Sequence, residues 1–133
     1  MKVKQPRVLV VDDDRPIREL LAHLLRAADC SVVMAEDGTA GLKAIESERF
    51  DLVITDIAMP GADGWTLAAE TRRRFPDTKL LIVTGGPVSP PAEPSEGFAD
   101  AIIAKPFDIT AITSIVDQLL DHTPLTRARG SRM

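Results

Sequence analysis

A chain of 133 residues, 44% apolar and 27% charged, is long enough for one packed domain and too short for two. Its formal charge of −4 offers no basic footprint for nucleic acid, its single cysteine, Cys30, excludes an intramolecular disulfide and fits a reducing compartment, and no apolar run approaches the roughly 18 residues of a membrane span. The N-terminal Met-Lys-Val-Lys-Gln-Pro-Arg has neither an apolar core nor a cleavage site, so a soluble, cytoplasmic protein is expected.

Arg7 to Val11 is expected as the first strand, because Val8, Leu9, Val10 and Val11 are consecutive and suit a pleated, buried surface. It runs into Asp12-Asp13-Asp14, three like charges side by side. Asp14 has a structural use as the cap of a helix with Pro16 in its first turn; Asp12 and Asp13 have none. That helix places Ile17, Leu20, Leu21, Leu24, Leu25 and Ala28 on one stripe and leaves His23 off it, as a surface residue. Cys30 is expected as a small buried hydrophobe without chemistry. Ser31 to Glu36 forms a second strand, and Asp37-Gly38 turns into a helix with Leu42 and Ile45 inward.

The stretch Phe50 to Gly64, FDLVITDIAMPGADG, has a different character. Leu52 to Thr55 is a short continuous apolar run, the pattern of a strand covered on both faces, and it delivers Asp56 into a Met-Pro-Gly turn. An acid at the carboxyl end of such a strand lies where open α/β sheets hold ligands, although Asp before such residues also serves simply to shape a turn. Asp63-Gly64 opens a third helix running through Leu67, Ala68 and Thr71 to Arg72-Arg73-Arg74, expected as a solvated end that complements the helix dipole.

Lys79 to Thr84 is the fourth strand. Gly85 to Gly97, GGPVSPPAEPSEG, contains four prolines, and since each one inside a helix costs about 3 kcal/mol a largely extended loop with at most a single turn is expected. Ala101 to Ala104 is the fifth strand, followed by Lys105-Pro106-Phe107. Asp108 caps a last helix with Ile109, Ile112, Ile115, Val116, Leu119 and Leu120 inward. Residues 1–122 are thus expected as one domain and 123–133 as a disordered basic tail.

Strands and helices in alternation imply a parallel sheet with helices on both faces, and right-handed crossovers put every strand's carboxyl end on one edge. One rim then gathers Asp12, Asp13, Asp56, Thr84 and Lys105. Three converging carboxylates repel one another. Lys105 offsets one charge and a divalent cation restores neutrality, with hard oxygen ligands selecting Mg²⁺. A metal, a hydroxyl and an ammonium beside a carboxylate suit phosphoryl transfer, with the carboxylate attacking in line. Asp56, on the central strand beside an open turn, is the candidate nucleophile.

VVDDD, DLVITDIAMPGADG, LIVTGG and KPF together resemble the receiver domain of two-component response regulators, over roughly residues 6 to 122. The resemblance implies a CheY-like, flavodoxin-like five-stranded parallel sheet of order 2-1-3-4-5. It implies that Asp56 accepts a phosphoryl group from a histidine kinase or a histidine phosphotransfer protein. Asp13 and Asp56 ligate Mg²⁺ with the main-chain carbonyl of Ala58, and Asp12 holds the ion through water. Thr84 and Lys105 bind the phosphoryl oxygens, and Lys105-Pro106 matches a cis peptide of the family. A monomer or weak dimer is expected, the downstream target stays open, and with no output domain after residue 122 the chain is expected either as a stand-alone receiver or as a piece of a larger regulator.

The chain departs from the family in two places. Relatives often carry Tyr or Phe three residues before the lysine; Ile102 stands here, and it has no ring or hydroxyl to alternate between buried and exposed states. The proline-rich segment lies where relatives have a helix between the fourth and fifth strands, so that helix is expected to be reduced or replaced by a loop, itself the mobile, partner-facing element. Ala58 and Gly86, two positions after Asp56 and Thr84, leave the in-line path open yet supply no group to orient a water. The lifetime of an acyl phosphate is therefore expected to depend on partner proteins.

Two alternatives use the same residue types. An Mg²⁺-dependent phosphatase of the haloacid dehalogenase type has its nucleophile in a D-x-D after the first strand, which Asp12 and Asp14 imitate; Pro16 and the short chain leave no room for a substrate cap. A pseudo-receiver that binds partners without phosphorylation normally lacks one of the key residues, and none is missing here. Dinucleotide binding fails for want of G-x-G-x-x-G after the first strand.

Overall fold

The computed structural model describes residues 5–59, 61, 63–85 and 99–120. Five strands, β1 (Arg7–Val11), β2 (Ser31–Ala35), β3 (Leu52–Thr55), β4 (Lys79–Thr84) and β5 (Ala101–Ala104), alternate with helices α1 (Arg15–Ala27), α2 (Gly38–Ser47) and α3 (Gly64–Arg74), and α4 (Ile109–Leu120) follows β5. The strands are all parallel in the order β2-β1-β3-β4-β5, the doubly wound, flavodoxin-like arrangement expected. The expected proline-rich loop from residue 86 onward and the basic tail at 123–133 lie outside the described residues. No helix among the described residues is long and apolar enough to cross a membrane.

Aspartates start the helices. Asp14 Oδ1 accepts from the Ile17 amide, Asp37 Oδ1 from that of Ala40, Asp63 Oδ1 from that of Thr66 and Asp108 Oδ1 from that of Thr110, each satisfying a first-turn donor with no partner inside its helix. At the far end of α1, Asp29 adopts a left-handed φ of 67°, a conformation short polar side chains tolerate.

The central strands β1, β3 and β4 are buried on both faces, and alternation divides the core in two. Val8, Val10, Leu52, Ile54, Leu81 and Val83 face Leu21 and Leu25 of α1 and Ile112 and Val116 of α4. Leu9, Val11, Val53 and Leu80 face Ile45 of α2 and Leu67 and Ala68 of α3.

Cys30 is buried as expected, and His23 is exposed. Two side chains expected inward differ. Ala28 lies exposed at the C-cap of α1 while Ala22 takes a buried place instead. Ile109 is 49% exposed, since it stands in the first turn of α4, at the margin of the sheet. The triple arginine is not uniformly solvated. Arg73 and Arg74 pair with Glu70, but Arg72 folds back, Nη1 donating to the carbonyls of Pro76 and Thr78 and Nη2 to Asp100.

Candidate functional site

β1, β3 and β4 end on one edge, and each hands a polar residue to it. Asp12 continues β1, its amide donating to Ala35 of β2, and Asp56 continues β3, its amide donating to Val11 of β1. The two residues therefore stand side by side. Thr84 ends β4, and Lys105 follows β5 with its amide donating to the Thr84 carbonyl at 2.9 Å. Asp12 is 1%, Thr84 4% and Asp56 7% exposed, whereas Asp13 is exposed to solvent.

The ammonium of Lys105 lies between the two buried acids, 2.9 Å from Asp12 Oδ2 and 2.9 Å from Asp56 Oδ2. Each carboxylate's other oxygen is held by backbone. Asp12 Oδ1 accepts from the Asp14 amide at 2.9 Å, and Asp56 Oδ1 accepts from the Ile57 amide at 2.6 Å and the Ala58 amide at 3.4 Å. Arg18 adds a bond to the Asp12 carbonyl at 2.7 Å. Burial raises the pKa of Asp12, an effect that hydrogen bonds from Lys105 and the Asp14 amide only partly offset. Burial pulls the Lys105 ammonium down, but the hydrogen bonds and charges of Asp56 and Asp12 outweigh it, leaving its pKa above the ordinary lysine value. Lys105 is therefore a fixed cation at neutral pH.

The turn after Asp56 is held close to its backbone by α3. Gly64 donates its amide to the Ile57 carbonyl at 2.8 Å, and a Cβ at Gly64 would stand 2.1 Å from the Asp56 carbonyl oxygen. Only glycine permits so close an approach. Gly61, in the same turn, has φ +79°, and a Cβ there would lie 2.6 Å from Thr39 Oγ1.

Asp12, Asp13 and Asp56 each offer a carboxylate oxygen within 4.8 Å of the others. An all-oxygen donor set with two buried acids and one open to water suits Mg²⁺, which takes few carboxylates and retains water. Ala58 is exposed two residues beyond Asp56. Ile102, opposite Ile82 in the β4–β5 register, is 46% exposed, and Lys105-Pro106 is a cis peptide. Asp14, which the phosphatase alternative would need as its second acid, is occupied in capping α1.

The residues expected from the sequence are thus brought to one rim. Its backbone supports escaped sequence reasoning: Gly64, the Asp14 and Ile57 amides, and Arg18. Each acts on a main-chain group or through one, so residue type alone carried no signal.

The model of the response regulator receiver domain matches residues 8–117. Among curated proteins, the response regulator MprA of Mycolicibacterium vanbaalenii is 36% identical over 118 residues, 88% of this chain and 51% of that protein. The transcriptional activator protein PfeR of Pseudomonas aeruginosa is 33% identical, matching 100% of this chain and 45% of its own length. The chain spans about half the length of these relatives. Among solved structures, the response regulator TrrA of Thermotoga maritima, determined in complex with Mg²⁺ and BeF, is 36% identical with a TM-score of 0.78, covering 87% of this chain and 100% of that one. The chemotaxis response regulator CheY4 of Vibrio cholerae is 27% identical, also at 0.78, covering 88% of this chain and 100% of that one. With a receiver-domain match running from β1 into α4, over a sheet of the expected order and an acid–lysine rim, the chain belongs to the response regulator receiver domains, the switch modules of two-component signalling.

Proposed function

We propose that Asp56 is the phosphoacceptor of this receiver, and that a phosphohistidine on a histidine kinase or a histidine phosphotransfer protein is the donor. The observation that carries the proposal is the shared ammonium. Lys105 Nζ stands 2.9 Å from Asp56 Oδ2, beside a second buried acid and a third that is open to water. A carboxylate oxygen of Asp56 attacks phosphorus in line as the N–P bond of the donor breaks. The imidazole leaves with the electron pair of that bond and takes up a proton. Lys105 and Thr84 bind the equatorial oxygens of the transferred group, and the Ile57 amide keeps the attacking carboxylate oriented.

The metal set of this proposal is Asp12, Asp13 and Asp56 with the main-chain carbonyl of Ala58, Asp12 acting through water; Mg²⁺ bound there neutralises phosphoryl charge. The domain catalyses nothing beyond its own phosphorylation and dephosphorylation. Ala58 places no polar side chain beside the acyl phosphate, so its lifetime depends on partner proteins; Gly86, the companion position, lies outside the described residues. A cytoplasmic monomer or weak dimer acting on a downstream protein fits this chemistry.

The test is incubation with acetyl phosphate and Mg²⁺, followed by mass spectrometry of the intact protein and its peptides. One phosphoryl group on Asp56 is expected in the wild type, and none in Asp56→Ala or in protein treated with a chelator. A label on any other residue, or one indifferent to Mg²⁺, refutes the assignment.

A further inference from the structure

The position of Lys105 depends on the register of β5, and little in β5 itself fixes that register. The strand is Ala101-Ile102-Ile103-Ala104, paired among the described residues on one side only, with β4. Ala101 and Ile103 pack against the core on the α1 and α4 side, while Ile102 and Ala104 are exposed. A slip by one residue exchanges the two faces. Because the tetrapeptide is symmetric, a slip that puts Ile102 where Ala101 stands would still turn one isoleucine and one alanine to the core, with Lys105 entering the outer face. Apolar patterning is thus nearly neutral between registers, yet a slip moves Lys105 by about 3.3 Å, enough to break both of its 2.9 Å contacts.

A polar lock stands at the root of the strand. Asp100 donates its amide to the Leu80 carbonyl at 2.8 Å and, through Oδ2, accepts the Leu80 amide at 2.8 Å. The same oxygen accepts from Arg72 Nη2 at 3.0 Å. The other arm of that guanidinium is committed to the Pro76 and Thr78 carbonyls, at 2.9 and 3.1 Å, so Arg72 binds the α3–β4 turn and the first residue before β5 as one unit. α3 thus has contacts at both ends of the sheet: Gly64, in its first turn, abuts the Asp56 backbone, and Arg72, in its last, meets Asp100 at the root of β5.

We infer that Arg72 and Asp100 are positioning residues for phosphoryl transfer: by locking the register of β5 on β4, they set Lys105 against Asp56 from about 16 Å along the strand. The inference rests on the assignment of Lys105 to the phosphoryl site, and two measurements keep the two claims apart. The first is amide exchange in unmodified, metal-free protein. Arg72→Ala and Asp100→Asn are each expected to speed exchange of those amides between Ala101 and Lys105 that donate to β4 about tenfold or more, while leaving the β1 and β3 amides protected. Unchanged protection of β5 in these variants overturns the lock.

The second is the rate of labelling by acetyl phosphate, arranged as a cycle with Lys105→Ala. Arg72→Ala alone is expected to slow labelling about fivefold or more, and to add less than about twofold once Lys105 is absent. Losses that multiply across the cycle, or an unchanged rate in Arg72→Ala, overturn the positioning role. If the wild type takes no label, the assignment of Lys105 fails while amide exchange still decides the lock. If Arg72→Ala does not fold, Asp100→Asn carries both measurements, because it removes the charge that holds the Arg72 guanidinium and is expected to slow labelling as Arg72→Ala does.

Discussion

Without the Lys105 ammonium, the buried carboxylates of Asp12 and Asp56 face each other with no cation between them. Lys105→Ala is therefore expected to destabilise the metal-free protein by about 3 kcal/mol, the cost of leaving a buried charge unpaired. Mg²⁺ should recover more of that loss in the variant than it adds to the wild type, because the ion no longer competes with an ammonium for the same oxygens; urea denaturation with and without Mg²⁺ measures both. Cys30 sets a second, independent dependence. Burial, helped by the charges of Asp117, Asp29 and Asp51, pushes its thiol up to about 11 from an ordinary value of 9.0. Above pH 9 the unfolded chain releases a proton that the folded chain keeps, so stability falls as pH rises from 9 toward 11, by about 2 kcal/mol at the upper end. Cys30→Ala should lose that slope in denaturation curves taken across the interval. At this scale the sequence was informative where chemistry dictates residue type. Asp12, Asp13, Asp56 and Lys105 could be chosen because acids and an amine at strand ends have few structural uses. Arg72 could not, because a run of three arginines does not reveal which one folds back onto carbonyls.

Among the elements, the turn between β3 and α3 tolerates least. Gly64→Ala would drive a methyl group into the Asp56 carbonyl at 2.1 Å, with backbone on both sides and no flexible side chain to yield. A loss of about 3 kcal/mol or more is expected, together with slower labelling of Asp56 in whatever fraction remains folded; thermal denaturation and the acetyl phosphate assay follow the two effects. Strand positions were legible because Val8 to Val11, Leu52 to Ile54 and Leu80 to Val83 are unbroken apolar runs with a single sensible reading, and β2 closes at Ala35, one residue before the expected Glu36. Inward faces were less legible at helix ends. Ala28 and Ile109 continue their stripes in sequence but stand in terminal turns, and periodicity does not say where a helix outruns the surface it packs on.

Taken whole, the molecule is a sheet with a separate apolar compartment on either side. The side chains of α1 and α4 meet one face of the central strands and those of α2 and α3 the other, with only strand backbone between them. Energetic independence follows. Ile112→Val, on the first side, and Ile45→Val, on the second, should each cost about 1 kcal/mol, and the double variant should cost their sum to within about 0.5 kcal/mol in chemical denaturation. Leu25 and Ile112, which line one crevice between α1 and α4, should depart from additivity when changed together. Each half-interior can accordingly be redesigned while its twin serves as an unperturbed internal control.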